Sequence, residues 1–362
     1  MSISRATFAQ EFKDVVSLQL LTQPQPQFFY AGLIKMALGA ELDTTTGGIP
    51  GRGTDANGPS YLSLPEMQLH PAAPASKDAV RVVVELGKEH MGHTVLINRP
   101  QFATSTYTQA SRKIPVGTTI GTTPVNVAAE QVSLTIERFA GPYDSGTSAV
   151  QPYGIENFDI NRGVHNLKEV RDLFFKQDFE KTIDAFAVAL FDLAGTTVYP
   201  TGMTAVNDAT QVGEFPFSFN QVLSTRTSLS TANIPTFSNG KYAMVLTSLQ
   251  LEQLDKDPSY QRQVRTFENE MNPVLRKAYR GSVSKFDIFE STTLTQTNNS
   301  SSVPIQYGHA FGPGMIGVGA GGMPHVETST NDNYAQSLMA IWLWFAAFGV
   351  LDNRFGRSVR SS

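Results

Sequence analysis

Between Asn166 and Ala194 the chain runs for twenty-nine residues without a glycine or a proline, and Gly195 closes the run. Nothing else in the sequence restricts the fold as much. With neither the most flexible nor the most disruptive residue inside it, the segment predicts one uninterrupted helix. Asn166 with Glu169 three residues on reads as a capping box, and Gly195 as the stop. At about 1.5 Å per residue such a helix is roughly 43 Å long, in a chain otherwise composed of short segments. Its apolar residues do not share one face. At about 100° per residue, Leu167, Val170 and Phe174 fall on one side, while Phe175, Phe179, Ile183, Phe186 and Leu190 fall roughly 140° round from them. No proline or glycine supplies a kink between the halves, so the two ends of the rod are expected to bury different sides against different partners.

Around this rod the chain reads as α+β. Residues 5–21 suggest a short amphipathic helix broken by Pro24 and Pro26, followed by an apolar segment, Phe28–Leu38. Glu41–Ala75 turns to Gly, Pro and small polar residues, the composition of an extended arm. Two alternating strands come next: Val80, Val82, Val84 and Leu86, then Val132, Leu134 and Ile136. The residues between them, Gly87–Glu130, form a connection too long for an ordinary loop. With strand-like pieces at Thr94–Asn98 and Val125–Ala128, it reads as a long two-stranded flap that cannot fold alone and needs a surface to lie on.

Beyond the rod, Phe215–Phe219 and Tyr242–Leu246 read as strands, and Leu249–Lys256, Ser259–Met271 and Val274–Tyr279 as helices punctuated by Pro258 and Pro273. Val283–Glu290 is a further strand, Thr292–Ser302 a polar loop tip, Ser337–Val350 an apolar strand and Arg354–Arg360 a basic tail. No internal repeat is visible.

Composition narrows the function classes. Only 17 % of the 362 residues are charged, below the roughly 25 % typical of globular chains, which fits a surface covered by other copies. The net charge of −4 argues against a dedicated nucleic-acid binder. The absence of cysteine excludes disulfides, thiolate metal sites and cysteine nucleophiles. Met1–Arg5 lacks an apolar signal core, and the longest apolar run, Leu338–Val350, is 13 residues, too short to cross a bilayer. A soluble product assembled in the cytoplasm is the expectation.

No constellation rises to an active site. Gly317–Gly322 matches G-x-G-x-x-G, but Pro324 and the polar segment Glu327–Asn333 follow where a dinucleotide fold needs a helix. It reads as a tight surface loop, with no cofactor. His90 and His93 beside Glu89 lack a third ligand, so no metal is expected. Glu268 and Glu270 read as a solvated helix face. No nucleophile elbow, phosphate cradle or zincin motif occurs, and no enzyme is expected. Arg354, Arg357 and Arg360 read as salt-bridge donors ahead of phosphate contacts. The aromatic stripe Phe175–Phe186 reads as core or interface.

The order of arm, flap between strands, rod, α/β middle and returning apolar strand resembles the major capsid proteins of tailed bacteriophages. Locally, Tyr242–Leu246, Leu249–Leu254 with the helix to Tyr279, and Gly281–Phe289 are similar to that family's axial domain. Gly308–Gly319 and Ala335–Val350 resemble the closing part of the N4-type branch. The resemblance implies the Hong Kong 97-like fold: an N-terminal arm over 1–79; strands and extended loop over 80–139, the loop at 87–130; a peripheral domain from 140–202 and 331–362 with a spine helix at 166–194; and an axial domain over 203–330. It further implies hexamers and pentamers of an icosahedral head enclosing double-stranded DNA by non-specific proximity, with scaffolding, portal and cement proteins as further partners and no membrane. Scaffolding is expected as a separate protein, because no long charged coiled coil precedes the arm. Candidate inter-subunit contacts are Phe175, Phe179, Phe186, Lys88, Arg99, Arg112 and Lys113. Some relatives cross-link a loop lysine to a neighbour's asparagine; Lys88 and Lys113 lie in the flap, but nothing identifies a partner. An encapsulin-like compartment of the same fold, an enzyme with an unrecognised site, and a tail-tube or adhesin subunit are the alternatives.

Overall fold

The structure is a computed structural model and describes residues 28–46, 80–84, 92–99, 130–144, 149–156, 165–237, 239–261, 279–329 and 337–362. The rod forms as helix α2, His165–Asp192; helix α1, Phe29–Thr46, precedes it. Asn166 therefore lies inside the first turn of α2, and the helix closes through the N–H groups of Leu193 and Ala194 on the carbonyls of Leu190 and Phe191. Gly195 is not a left-handed cap. Its N–H donates to the Asn353 carbonyl at 3.0 Å, and a Cβ there would stand 3.2 Å from that same oxygen, so the position is small because two segments touch. Phe175, Phe179, Ile183, Ala187 and Phe191 recur every fourth residue and are buried, whereas Phe174 is exposed. The far side of the rod is thus open at Phe174, and the side chains of Leu167 and Val170 lie outside the described residues.

The core is organised by β16, Ser337–Val350. One side of this strand pairs with β14, Ile316–Ala320, and β15, His325–Ser329; the other pairs with β4, Glu137–Gly141, and β7, Tyr153–Glu156. The edge strand β1, Val80–Val84, runs parallel to β14. Both faces of β16 are covered, which explains why its sequence has almost no polar residue. Trp342 and Trp344, on one face, pack edge-on against Phe179 of α2 at 5.2 and 5.7 Å. Ala347, on the other face, with Leu351 just beyond the strand, packs against Val95, Ile97 and Leu134 of the ribbon of β2, Thr94–Arg99, and β3, Glu130–Thr135, and against Ile136 just after it.

Two short strands, β5, Tyr143–Asp144, and β6, Ala149–Val150, pair with each other alone among the described residues. The second large sheet begins in sequence with β8, Thr197–Val198, and β9, Tyr242–Leu246, and continues with β10, Tyr279–Val283, and β11, Phe286–Glu290. It is completed by β12, Gln296–Asn298, β13, Pro304–Phe311, and β17, Gly356–Ser361. Its order is β10-β11-β9-β13-β17-β8, with β12 on β13. Helices α3, Phe219–Thr231, α4, Ser248–Lys256, and the single turn α5, Pro258–Gln261, connect it. Thr247 caps α4 by a reciprocal pair of bonds with Gln250.

Several expectations change; Phe215–Phe219, expected as a strand, is irregular until Phe219 opens α3, and the strand expected at Val283–Glu290 is the end of β10, a turn and β11. The sheets cut across the boundary at 330: β14 and β15 pair with β16, while the final strand β17 inserts between β13 and β8. The segment 1–79 is not an arm throughout, because Phe29, Tyr30, Leu33 and Ile34 of α1 are in the core, with Phe29 against Phe289 at 4.7 Å and Tyr30 stacked on Phe191 at 4.6 Å. The glycine-rich Gly317–Gly322 is not a surface loop; its first four residues belong to β14, every residue of which is buried. A Cβ on Gly317 would stand 2.8 Å from Leu351 and 2.9 Å from Ile97, and one on Gly319 would stand 3.1 Å from Val95. The glycines let the β2–β3 ribbon lie directly on the strand. Lastly, Tyr279, expected to end a helix, opens β10, and Thr292–Ser302 contains β12. The expected strand Val125–Ala128, the carboxylates Glu268 and Glu270, and most of the expected helices Ser259–Met271 and Val274–Tyr279 lie outside the described residues. Gly317→Val should cost about 1–3 kcal/mol by overpacking, read as a lower midpoint in denaturant unfolding; an unchanged midpoint would show that the ribbon does not sit against β14.

Candidate functional site

The face of α2 turned inward carries acids as well as rings. Glu180 and Asp184, four residues apart, are fully buried, and Asp192 follows two turns later, half-buried. Each holds a different part of the chain. Lys35 of α1 binds Glu180 at 2.7 Å, with both side chains inaccessible to solvent. The Asp184 carboxylate accepts the N–H of Ala31 at 2.9 Å and the hydroxyl of Thr293. Asp192 accepts from His309 Nε2 at 2.9 Å and from Thr295 at 2.6 Å. The remaining ring nitrogen, Nδ1, is 2.6 Å from the Tyr30 hydroxyl, the donor between them following the state of the ring. Two residues before Glu180, Asp178 accepts the Trp342 indole N–H at 2.7 Å. Side chains on one helix thus fasten α1, β13, β16 and the segment after β11.

Burial sets the electrostatics of this seam. It pushes the Asp184 carboxyl up to about 6 against the hydrogen bonds from Thr293 and Ala31. It brings Lys35 down to about 8 in spite of Glu180. The Tyr30 phenol is raised well above its ordinary value by burial, then by the charges of Asp184 and Asp192. At Asp192 burial also raises the carboxyl, but the bond and charge of His309 together with Thr295 outweigh it and leave the group below the usual range. Tyr30, His309 and Asp192 form a relay in outline only. Tyr30 and His309 are buried, and the rings of Phe191 and Phe311 stand within 5.7 and 6.3 Å of them, so no substrate reaches the imidazole. Chemically the seam fastens elements together.

The sequence-derived contact residues fall in several places. Phe175 and Phe179 are buried in this chain's own core, which corrects their reading as surfaces for a neighbour: β16 already covers Phe179. Phe186 is half-buried, with Phe139 and Phe348 at 5.0 and 5.5 Å. Arg99 ends β2 opposite Glu130 at the open end of the ribbon. Lys88, Arg112 and Lys113 lie outside the described residues. The ribbon buries Val95 and Ile97 and turns Leu96 outward, 52 % exposed. Neither β2 nor β3 pairs with a further strand among the described residues. The basic tail is committed internally: Arg354 grips Asp352, Arg357 binds Ser228 and two carbonyls, and Arg360 lies 3.4 Å over the Tyr307 ring. Among the described residues no cluster of His, Asp and Glu has the makings of a metal site.

No protein-family model and no curated protein matches the chain. Solved structures do match it in fold. The capsid of Ralstonia phage GP4 aligns with a TM-score of 0.52 at 12 % identity, over 85 % of this chain and 95 % of that one. The capsid of cyanophage P-SCSP1u aligns at 0.50 with 14 % identity, over 82 % and 90 %, and that of cyanophage Pam1 at 0.50 with 9 % identity, over 78 % and 88 %. The chain has the mixed α+β fold of these phage capsid structures.

Two outcomes test the seam. Asp184 has its folded value raised above its unfolded one, so its contribution to stability is complete below about pH 4 and is lost as the pH rises through about 6. Asp184→Asn keeps the shape and should flatten the slope of unfolding free energy between those limits; an unchanged slope would remove Asp184 as its source. Phe179→Asp should destabilise by more than about 4 kcal/mol by placing an unpaired charge beside two indoles. Circular dichroism melting that is unaltered would refute the core position.

Proposed function

We propose that this chain is a phage major capsid protein of the Hong Kong 97-like fold, building hexamers and pentamers that close into an icosahedral shell around double-stranded DNA. The observation that carries the reading is the fold-level alignment with the Ralstonia phage GP4 capsid over 95 % of that protein's length. A match of this extent leaves little of a capsid subunit unaccounted for. In this reading α2 is the spine helix of a peripheral domain, and the β9–β13 sheet with α3 and α4 forms the body of an axial domain. Residues 87–130 are the extended loop, rooted by the β2–β3 ribbon. The role is structural, with no reaction catalysed.

The physics supports the assignment. A closed shell made from one chain places identical subunits in slightly different settings. That calls for a stiff body and for extensions whose ends are free to meet a neighbour. The seam on α2 supplies the stiffness. The ribbon supplies the root of the proposed loop, with Val95, Ile97, Leu134 and Ile136 anchored in this subunit. Affinity between copies then comes from many broad, partly polar contacts in place of one strong patch. Partners beyond further copies of the chain are a scaffolding protein, a portal and a cement protein; the destination is the virion, after assembly in the host cytoplasm. No described helix is long and apolar enough to cross a membrane.

Electron microscopy of the purified protein is expected to show closed shells, and solitary monomers at high concentration would overturn the reading. Particles filled with protein cargo in place of DNA would favour an encapsulin-like compartment. Removing residues 101–129 should leave a subunit that melts near the parent temperature but does not close shells. The deletion spares Val95 and Ile97, whose loss would injure the core itself. Normal shells from the deleted chain would dismiss the loop from assembly.

A further inference from the structure

The two-residue turn between β10 and β11 is built against local preference. Val283 pairs with Phe286, and the two residues between them, Ser284 and Lys285, both have left-handed backbones, with φ of 50° and 69°. Asn-Gly is the pair that takes this geometry without strain. Here a serine and a lysine take it instead. The neighbourhood adds a second cost. Phe286 lies opposite Tyr242, and the N–H of Tyr242 donates to the Lys285 carbonyl at 2.8 Å, so Lys285 in the turn and Lys241 just before β9 stand next to each other ahead of that pair. Like charges so placed repel.

A third cation joins them: Arg226 of α3 donates from Nη1 to the Ser284 hydroxyl at 2.9 Å. Only part of this charge is neutralised. Asp287, buried, accepts from Lys241 at 3.3 Å and from the Asn239 amide at 2.9 Å. Among the described residues neither Arg226 nor Lys285 forms an ion pair. Lys285 is exposed at the tip, and Arg226 and Lys241 are half-buried beside it.

Left-handed backbone and a surplus of positive charge, among the described residues, at one exposed turn point to a polyanion that relieves the charge when bound. We propose that this turn, with Arg226, Lys241 and Lys285, is a contact for the phosphate backbone of duplex DNA. The contact rests on the shell reading, in which DNA is the enclosed polyanion. It is sequence-independent, because lysine and arginine at a turn tip reach phosphates without entering a groove. It is also weak: the chain as a whole is acidic at −4, and three cations hold a strand without immobilising it.

The test uses the full chain and a short fluorescein-labelled DNA duplex, with anisotropy measured across a salt series. The parent should bind at low salt and release as salt rises. A double variant, Ser284→Asn with Lys285→Gly, installs the unstrained turn. It should melt no lower than the parent, bind several-fold more weakly at low salt, and show a slope of log affinity against log salt shallower by about 0.9, one phosphate contact. Arg226→Gln and Lys285→Gln, which leave the turn sequence otherwise intact, should each weaken binding in the same sense. Unchanged affinity and slope in the folded variants would overturn the proposal, as would an equal loss from Lys181→Gln, an exposed lysine on α2, or no salt-sensitive binding by the parent. Shell formation is scored separately on the same variants: normal shells with unaltered DNA binding would sink the contact and leave the capsid reading standing.

Discussion

The rest of the structure depends on a row of carboxylates along α2, two buried and one half-buried. Glu180, Asp184 and Asp192 share the inward face of the helix with Val188 and Phe191, and each is matched to a donor from another part of the chain. A buried carboxylate without such a donor is among the costliest features a fold can carry. The helix therefore does more than fill space. It admits α1 only where Lys35 meets Glu180, and it admits the segment after β11 only where Thr293 and Thr295 meet Asp184 and Asp192. Apolar rings packed between these points supply the bulk of the favourable free energy. The polar contacts fix which of several apolar arrangements is adopted.

Close approach is the second constraint, and glycine carries it. The β2–β3 ribbon lies on β14 because Gly317 and Gly319 offer no side chain there. At Gly349 of β16 an added Cβ would stand 2.4 Å from Leu134 of the ribbon. The same strand thus holds α2 through two tryptophans and the ribbon through an absence of side chain. That arrangement fixes α2 and the ribbon on opposite faces of one strand, the stiff body on which the proposed role of a subunit meeting its own kind rests.

Much of this was legible in residue order. The length of α2 followed from a run free of helix breakers, β9 and β16 from short and long apolar runs, and the ribbon from the alternation at Val132, Leu134 and Ile136. Other features were not. Gly317–Gly322 looks like a loop because glycine weakens a strand taken alone; only the neighbouring ribbon explains why a buried strand should contain it. Phe175 and Phe179 look equally suited to a core or to an interface, since a stripe of rings does not name what covers it. The acids on α2 are not singled out by any motif in the residue order. Their one signal was the spacing of Glu180 and Asp184 in register with Val188 and Phe191, a polar pair set into an apolar stripe.

Local chemistry, then, was settled by the sequence: where the backbone is helical, where it is extended, and that the composition supports no thiol chemistry. Where the pattern is strong, as over α2, β9 and β16, those properties depend on neighbours a few residues away; where glycine or a mixed pattern weakens it, as at Gly317–Gly322 and Tyr279, contacts from distant segments decide. Tertiary structure alone decided that α1 belongs to the core, that β17 inserts between β13 and β8 while β14 and β15 join β16, and that His309 meets Asp192 and Tyr30. Each of these joins residues more than a hundred positions apart or chooses one strand neighbour among several. Such choices are made by the burial of complementary surfaces and by the need of every enclosed polar group for a partner, and neither is written in any short stretch of the chain.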